Sequence, residues 1–191
     1  KINLSVYCKS MNISFIILGI IILGFGWLVA LYNGLVKFSV RVQEAWADID
    51  VQLKRRYDLI PNLVETVKGY ASHERETLEA VLKARSAATA MNIDASSVTA
   101  EQMEAFAGAQ AGLSGALGKL LAVAEAYPDL KADKMFHNLQ ASISDVEEHL
   151  QAARRLYNSN VSAINSKIVT FPTSIVANMS NVSKKEFFEV E

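Results

Sequence analysis

From Ile13 to Tyr32 the chain reads ISFIILGIIILGFGWLVALY, an apolar run without a charged residue. As a helix rising about 1.5 Å per residue, it spans about 30 Å, the thickness of a bilayer's hydrocarbon core. A segment this apolar is a membrane span, a buried core helix or the hydrophobic region of a secretion signal. Core helices seldom run so far without a charge. A cleaved signal has an apolar region of about 7–15 residues ending at a small-x-small site. Here the run continues into Trp27, Leu28 and Val29. The favoured reading is an uncleaved transmembrane anchor over residues 13–32, with Trp27 and Tyr32 as membrane-interface aromatics.

Residues 1–12 precede the anchor as a short N-terminal segment. Met11 stands directly before the run, which makes residues 1–10 a candidate extension. Cys8 is the single cysteine, which excludes a disulfide framework and any multi-cysteine metal site. Residues 1–32 hold Lys1 and Lys9 and no acid, so the net charge of −1 becomes −3 beyond Tyr32. With 19 Lys and Arg against 20 Asp and Glu, no strong basic field exists to hold nucleic acid. Lys37 and Arg41, then Lys54, Arg55 and Arg56, follow the anchor, and this positive bias points to a cytoplasmic C-terminal domain, the alternative being a periplasmic or extracellular one.

Beyond the anchor, apolar residues recur at helical steps. Val42, Ala45, Trp46, Ile49 and Leu53 form one stripe, resumed by Val64, Val67 and Ala71 after a bend at Pro61. A second helix over about Glu74–Met91 is expected to take its cap from Ser72, unless it continues the first. The sequence Thr99-Ala-Glu-Gln102 predicts a capping box for a third helix running to about Glu125. A fourth, from about Asp133, carries the longest seam: Leu139, Ile143, Val146, Leu150, Ala153, Tyr157, Val161, Ile164 and Ile168. The expectation is an all-α chain, its transmembrane helix continuing into an antiparallel four-helix bundle over residues 33–168, then an irregular tail over 169–191.

Three sets of residues stand out within that frame. Gly108, Gly112 and Gly115 share a face of the third helix and predict close approach by a neighbouring backbone, within the monomer or between subunits. Asp48, Asp50, Lys54, Arg55, Arg56 and Asp58 form the densest charged patch. It reads either as a salt-bridged helix surface, with Asp50 and Lys54 as an i, i+4 pair, or as a contact for headgroups or another protein. Phe187 and Phe188 lie between charges in the tail, as a docking peptide or as a strap onto the bundle.

No catalytic constellation emerges. His73-Glu74-Arg75-Glu76-Thr77 shares only its first two residues with the HExxH zinc motif. His137 and His149 are wrongly spaced to share one helical metal site. No glycine-rich phosphate loop and no Gly-x-Ser-x-Gly elbow occurs. The chain is expected to have no catalytic, metal or cofactor residues and not to be an enzyme.

Tyr32-Asn33-Gly34-Leu35-Val36, the run VQEAWADIDVQLKRRYDLIPNLVETVKGYA from Val42 to Ala71, and His73-Glu74 closely resemble the LemA family of bacterial membrane-anchored proteins. Further matches are Ala84-Arg85, the segment from Ala124 to Ala132, the segment from Ala153 to Asn158, Phe171-Pro172 and Phe187-Phe188-Glu189. The resemblance extends from about Gly26 to the end. It implies a single-pass protein of the bacterial inner membrane with a helical domain and no established catalytic residues or cofactor. A related branch takes part in forming magnetosome membranes. The expected partners are the lipid bilayer and further copies of the chain as a homo-oligomer. The expected role is a membrane scaffold, the alternative an adaptor that recruits a protein through its bundle surface or tail.

Overall fold

The computed structural model describes residues 4–190, with side chains from Phe15 to Val190. The expectation for Lys1 lies outside the described residues, and those for the side chains of Cys8, Lys9, Met11, Ile13 and Ser14 lie outside the described side chains. Among the described residues the chain is all-α: α1 (Leu4–Tyr70), α2 (Arg75–Thr89), α3 (Ala100–Glu125), α4 (Pro128–Ala132), α5 (Lys134–Val169) and α6 (Thr173–Met179).

α1 is one unbroken helix of 67 residues, which at about 1.5 Å per residue is about 100 Å long. It carries the apolar run straight into the bundle. Pro61 sits inside it without ending it. Ile60, Leu63, Val64 and Val67 are all buried around that point, so tertiary packing holds the helix through the lost backbone bond. α1 ends at Tyr70, and α2 starts after Glu74, which makes no side-chain cap bond; Ser72 is exposed and outside the helix. The expected Ser72 cap is therefore not formed.

The later helix starts follow their local chemistry. The hydroxyl of Thr99 accepts from the Gln102 N–H at 3.2 Å, and the Gln102 side chain accepts from the Thr99 N–H at 3.0 Å. At α5 the Asp133 carboxylate accepts from the Phe136 N–H at 2.8 Å. Each bond satisfies an orphan donor of a first turn.

α1 and α5 make the most extensive pairing, antiparallel; α2 folds back along α1, and α3 turns again to lie against α2. Ile143, Val146, Leu150, Tyr157, Val161 and Ile164 of the α5 seam are buried. The core has a distal part around Ile60, Leu63, Val67, Leu113, Leu120 and Phe136. A part nearer the apolar run gathers Trp46, Ile49, Leu53, Phe106, Tyr157 and Phe188.

The segment after Val169, expected to be irregular, contains α6, which packs Val176 and Ala177 on Leu35 of α1. Asn181, with φ 54°, closes α6: its N–H donates to the Asn178 carbonyl, and the Val182 N–H donates to the Ala177 carbonyl at 3.0 Å. Asparagine tolerates this left-handed conformation, so a helix end forms where periodicity alone gives no signal.

Candidate interaction surfaces

The charged patch on α1 divides between solvent and core. Asp48, Asp50, Lys54, Arg55 and Asp58 are exposed. Partial desolvation raises the Asp50 carboxyl above its ordinary 3.8. Asp50 and Lys54 do not pair; of these exposed residues Arg55 reaches Asp145 of α5 at 3.0 Å, tying the two longest helices together. Both partners are about half exposed, so the contact is a weak tether.

Arg56 is 1% exposed and is no part of an interaction surface. Its Nη2 donates to Ser114 Oγ at 2.6 Å and lies 3.6 Å from the Glu147 carboxylate, while its Nε finds no partner. Burial lowers the guanidinium pKa, and Glu147 opposes the shift. Beside it Gln110 donates to the Tyr57 hydroxyl at 2.6 Å, and Arg85 Nε donates to the Tyr57 carbonyl at 2.7 Å. Arg56, Tyr57, Gln110 and Ser114 thus form a polar layer between the two parts of the core. The sequence held a signal for this. The apolar stripe of α1 skips from Leu53 to Ile60, and Arg56 occupies the vacant inward step.

The tail phenylalanines also part company. Phe187 is exposed, whereas Phe188 is buried with Trp46 and Phe106, at centroid distances of 5.8 and 5.4 Å. Phe188 therefore straps the tail to the bundle and is not a docking residue. Two asparagines missed in the sequence hold the strap. Asn158 Nδ2 donates to the Phe188 carbonyl and its Oδ1 accepts from the Phe188 N–H; Asn165 makes the same pair of bonds with Lys185. Positions 158 and 165 are two turns apart, about 10 Å of rise, and the extended step from 185 to 188 covers about the same length. The Tyr157 hydroxyl donates to the Glu186 carbonyl at 2.9 Å, and burial pushes its pKa up to about 12.

Gly108, Gly112 and Gly115 are exposed, and a Cβ on any of them would meet nothing within 4 Å. The expected close approach within the monomer does not occur, because α3 turns its leucines inward and its glycines to solvent. Between α3 and the tail runs a groove of about 630 Å³, floored by Met103, Ala107, Ala111, Phe187 and Val190 and rimmed by Glu104, Glu186 and Glu189.

Among the described side chains of the apolar run, Phe15, Ile20, Leu23 and Phe25 are exposed, as are Trp27 and Tyr32, and only Leu31 near its end packs against the bundle. Among the described residues, one helix is therefore long and apolar enough to cross a membrane. The LemA family pattern matches residues 45–191. The chain is also 30% identical over 162 residues to Protein LemA of Metamycoplasma hominis, covering 83% of this chain and 70% of that protein. The chain belongs to the LemA family. The chain is also similar to Magnetosome protein MamQ 2 of Paramagnetospirillum magneticum, 25% identical over 175 residues, 83% of this chain and 64% of that protein. It is also similar to Magnetosome protein MamQ of Magnetospirillum gryphiswaldense, 23% identical over 174 residues, 82% of this chain and 64% of that protein. It spans less than two thirds of these magnetosome relatives. Neither the LemA family nor these relatives bears the name of an enzyme. Among the described residues of this LemA-family chain, no three His, Cys, Asp or Glu side chains converge to hold a metal ion.

Proposed function

We propose that this chain is a non-enzymatic, single-pass membrane protein whose bundle assembles with further copies at the bilayer as a scaffold, its C-terminal domain in the cytoplasm. The observation that carries the reading is α1 itself. One helix runs without a break from the exposed apolar segment into the bundle core, so an anchor seated in lipid keeps the bundle next to the membrane. Anchoring raises local concentration, and weak lateral contacts between copies become effective. The exposed glycine face of α3 and the exposed charges of α1 are then available for those contacts. The similarity to magnetosome proteins supports a role at a membrane. Full-length protein in vesicles is expected to cross-link into oligomers, and a form lacking residues 1–32 to self-associate less. Equal assembly of the two would reject the role given to the anchor. With Cys8→Ser as background, Asn92→Cys in the exposed loop is expected to resist an impermeant thiol reagent on intact cells. Labelling there would overturn the cytoplasmic assignment.

An adaptor role is the second reading, favoured by the acid-rimmed groove beside Phe187. Its occupant would be a basic amphipathic segment of a partner. Deleting the tail is a poor test, because it removes Phe188 from the core. The Phe187→Ala/Glu189→Lys variant is the cleaner one: an adaptor loses its partner while the scaffold keeps its oligomers.

A further inference from the structure

α6 packs Val176 and Ala177 on Leu35, with Leu31 alongside, one turn or less from the end of the apolar run at Tyr32. Its inner face is thereby satisfied. Its outer face is not: Met179 is 79% exposed, Ile175 50%, and Phe171 in the preceding turn 75%, the three recurring at four-residue steps. Exposed apolar groups grouped this way on a small domain mark a contact surface. From Ile168 to Ser183 the chain carries no charged residue at all, and Lys167 on one side and Lys184-Lys185 on the other bracket it.

Charge at this end of the bundle has one dominant sign. No acid occurs from 1 to 43 or from 149 to 185, the two stretches that meet here. Lys37, Arg41 and Lys184 are exposed, and Lys167 lies over the Phe38 ring at 4.7 Å. Asp94, in the neighbouring α2–α3 loop, is held by Ser96. An uncharged apolar patch, ringed by cations and level with the end of a membrane span, has the composition of a segment lying in the headgroup region.

We propose that α6 with Phe171 is a second membrane contact, seated in the interface of the same bilayer that holds the apolar run. The inference rests on the anchor reading and deepens it. A single helix leaves a bundle free to rotate and tilt, whereas a second contact fixed to both α1 and α5 sets its height and orientation.

Spin labels on full-length protein test this in vesicles of phosphatidylcholine with about a quarter phosphatidylglycerol. With Cys8→Ser as background, Phe171→Cys, Ile175→Cys and Met179→Cys are each labelled. Met135→Cys, exposed at the distal end of α5, and Leu23→Cys, within the apolar run, are the references. The expected result is a several-fold higher ratio of oxygen to aqueous nickel-chelate accessibility at 171, 175 and 179 than at 135. A water-like ratio equal to that at 135 overturns the proposal, as does shielding from both reagents, which would mean that a second copy covers the patch. Position 23 separates the two levels of the argument. Lipid-like accessibility at 23 with water-like α6 labels sinks α6 alone, and water-like accessibility at 23 sinks the anchor with it.

Discussion

Adjacent residues of one chemical type can have unrelated roles, and the two tail phenylalanines are the sharpest case. Phe188 fills the space between Trp46 and Phe106, with Tyr157 also against Trp46, while Phe187 faces the groove. Phe188→Ala is expected to cost about 3–5 kcal/mol in chemical denaturation, and Phe187→Ala no more than about 1 kcal/mol. Equal effects would mean that the strap does not form. Asp133 gives a pH-dependent case. Its bond to the Phe136 N–H and that from the Tyr70 hydroxyl, 3.0 Å away, hold the carboxyl below its ordinary 3.8. A depressed pKa stabilises the fold at pH values above the unfolded value, and that stabilisation is lost as pH falls through the folded one. Asp133→Ala is therefore expected to lower the thermal midpoint near neutral pH, with the difference from the parent closing below the folded pKa.

Helix ends and faces are set by different ranges of interaction. The capping box at Thr99 and the Asp133 cap both depend on residues within one turn; the sequence predicts the box and a helix start near Asp133, while the cap by the Asp133 carboxylate appears only in the structure. The Ser72 cap was not formed, because Ala71 is drawn into the core and the helix restarts only after Glu74. The small-residue face of α3 predicts close approach within the monomer or between subunits, but in the monomer its glycines face open space. Gly112→Ala is accordingly expected to stabilise the protein by about 0.5–1 kcal/mol, since it removes glycine's backbone entropy and meets no neighbour. Thermal denaturation in dilute detergent measures that gain. A simultaneous loss of cross-linked oligomer in vesicles would place the glycine face within the contact between copies.

At the scale of the whole molecule, the polar layer around Arg56 divides the core. Burying a guanidinium is costly, and its contacts with Ser114 and Glu147 offset that cost only in part, since Nε stays unpaired. Arg56→Met, which keeps volume and removes charge, is expected to change stability by no more than about 1 kcal/mol. Arg56→Ala, which leaves a cavity, is expected to cost about 2–4 kcal/mol. Urea denaturation of the pair distinguishes packing from ion pairing: equal losses would show that the charge itself holds the layer. A register role for the layer predicts that Arg56→Met also blurs side-chain chemical-shift dispersion at Tyr57 and Gln110.

The span-length apolar run, the all-α class, the Thr99 capping box, the α5 seam and the family were determined by the sequence alone, because each rests on spacing or chemistry between near neighbours in the chain. The inward turn of Arg56, the burial of Phe188 beside an exposed Phe187, the solvent-facing glycines and the placement of α6 beside the end of the apolar run were decided by tertiary structure. Those depend on which distant helix meets which face. An exposed and a buried residue can carry the same local pattern, and only the partner across the bundle separates them.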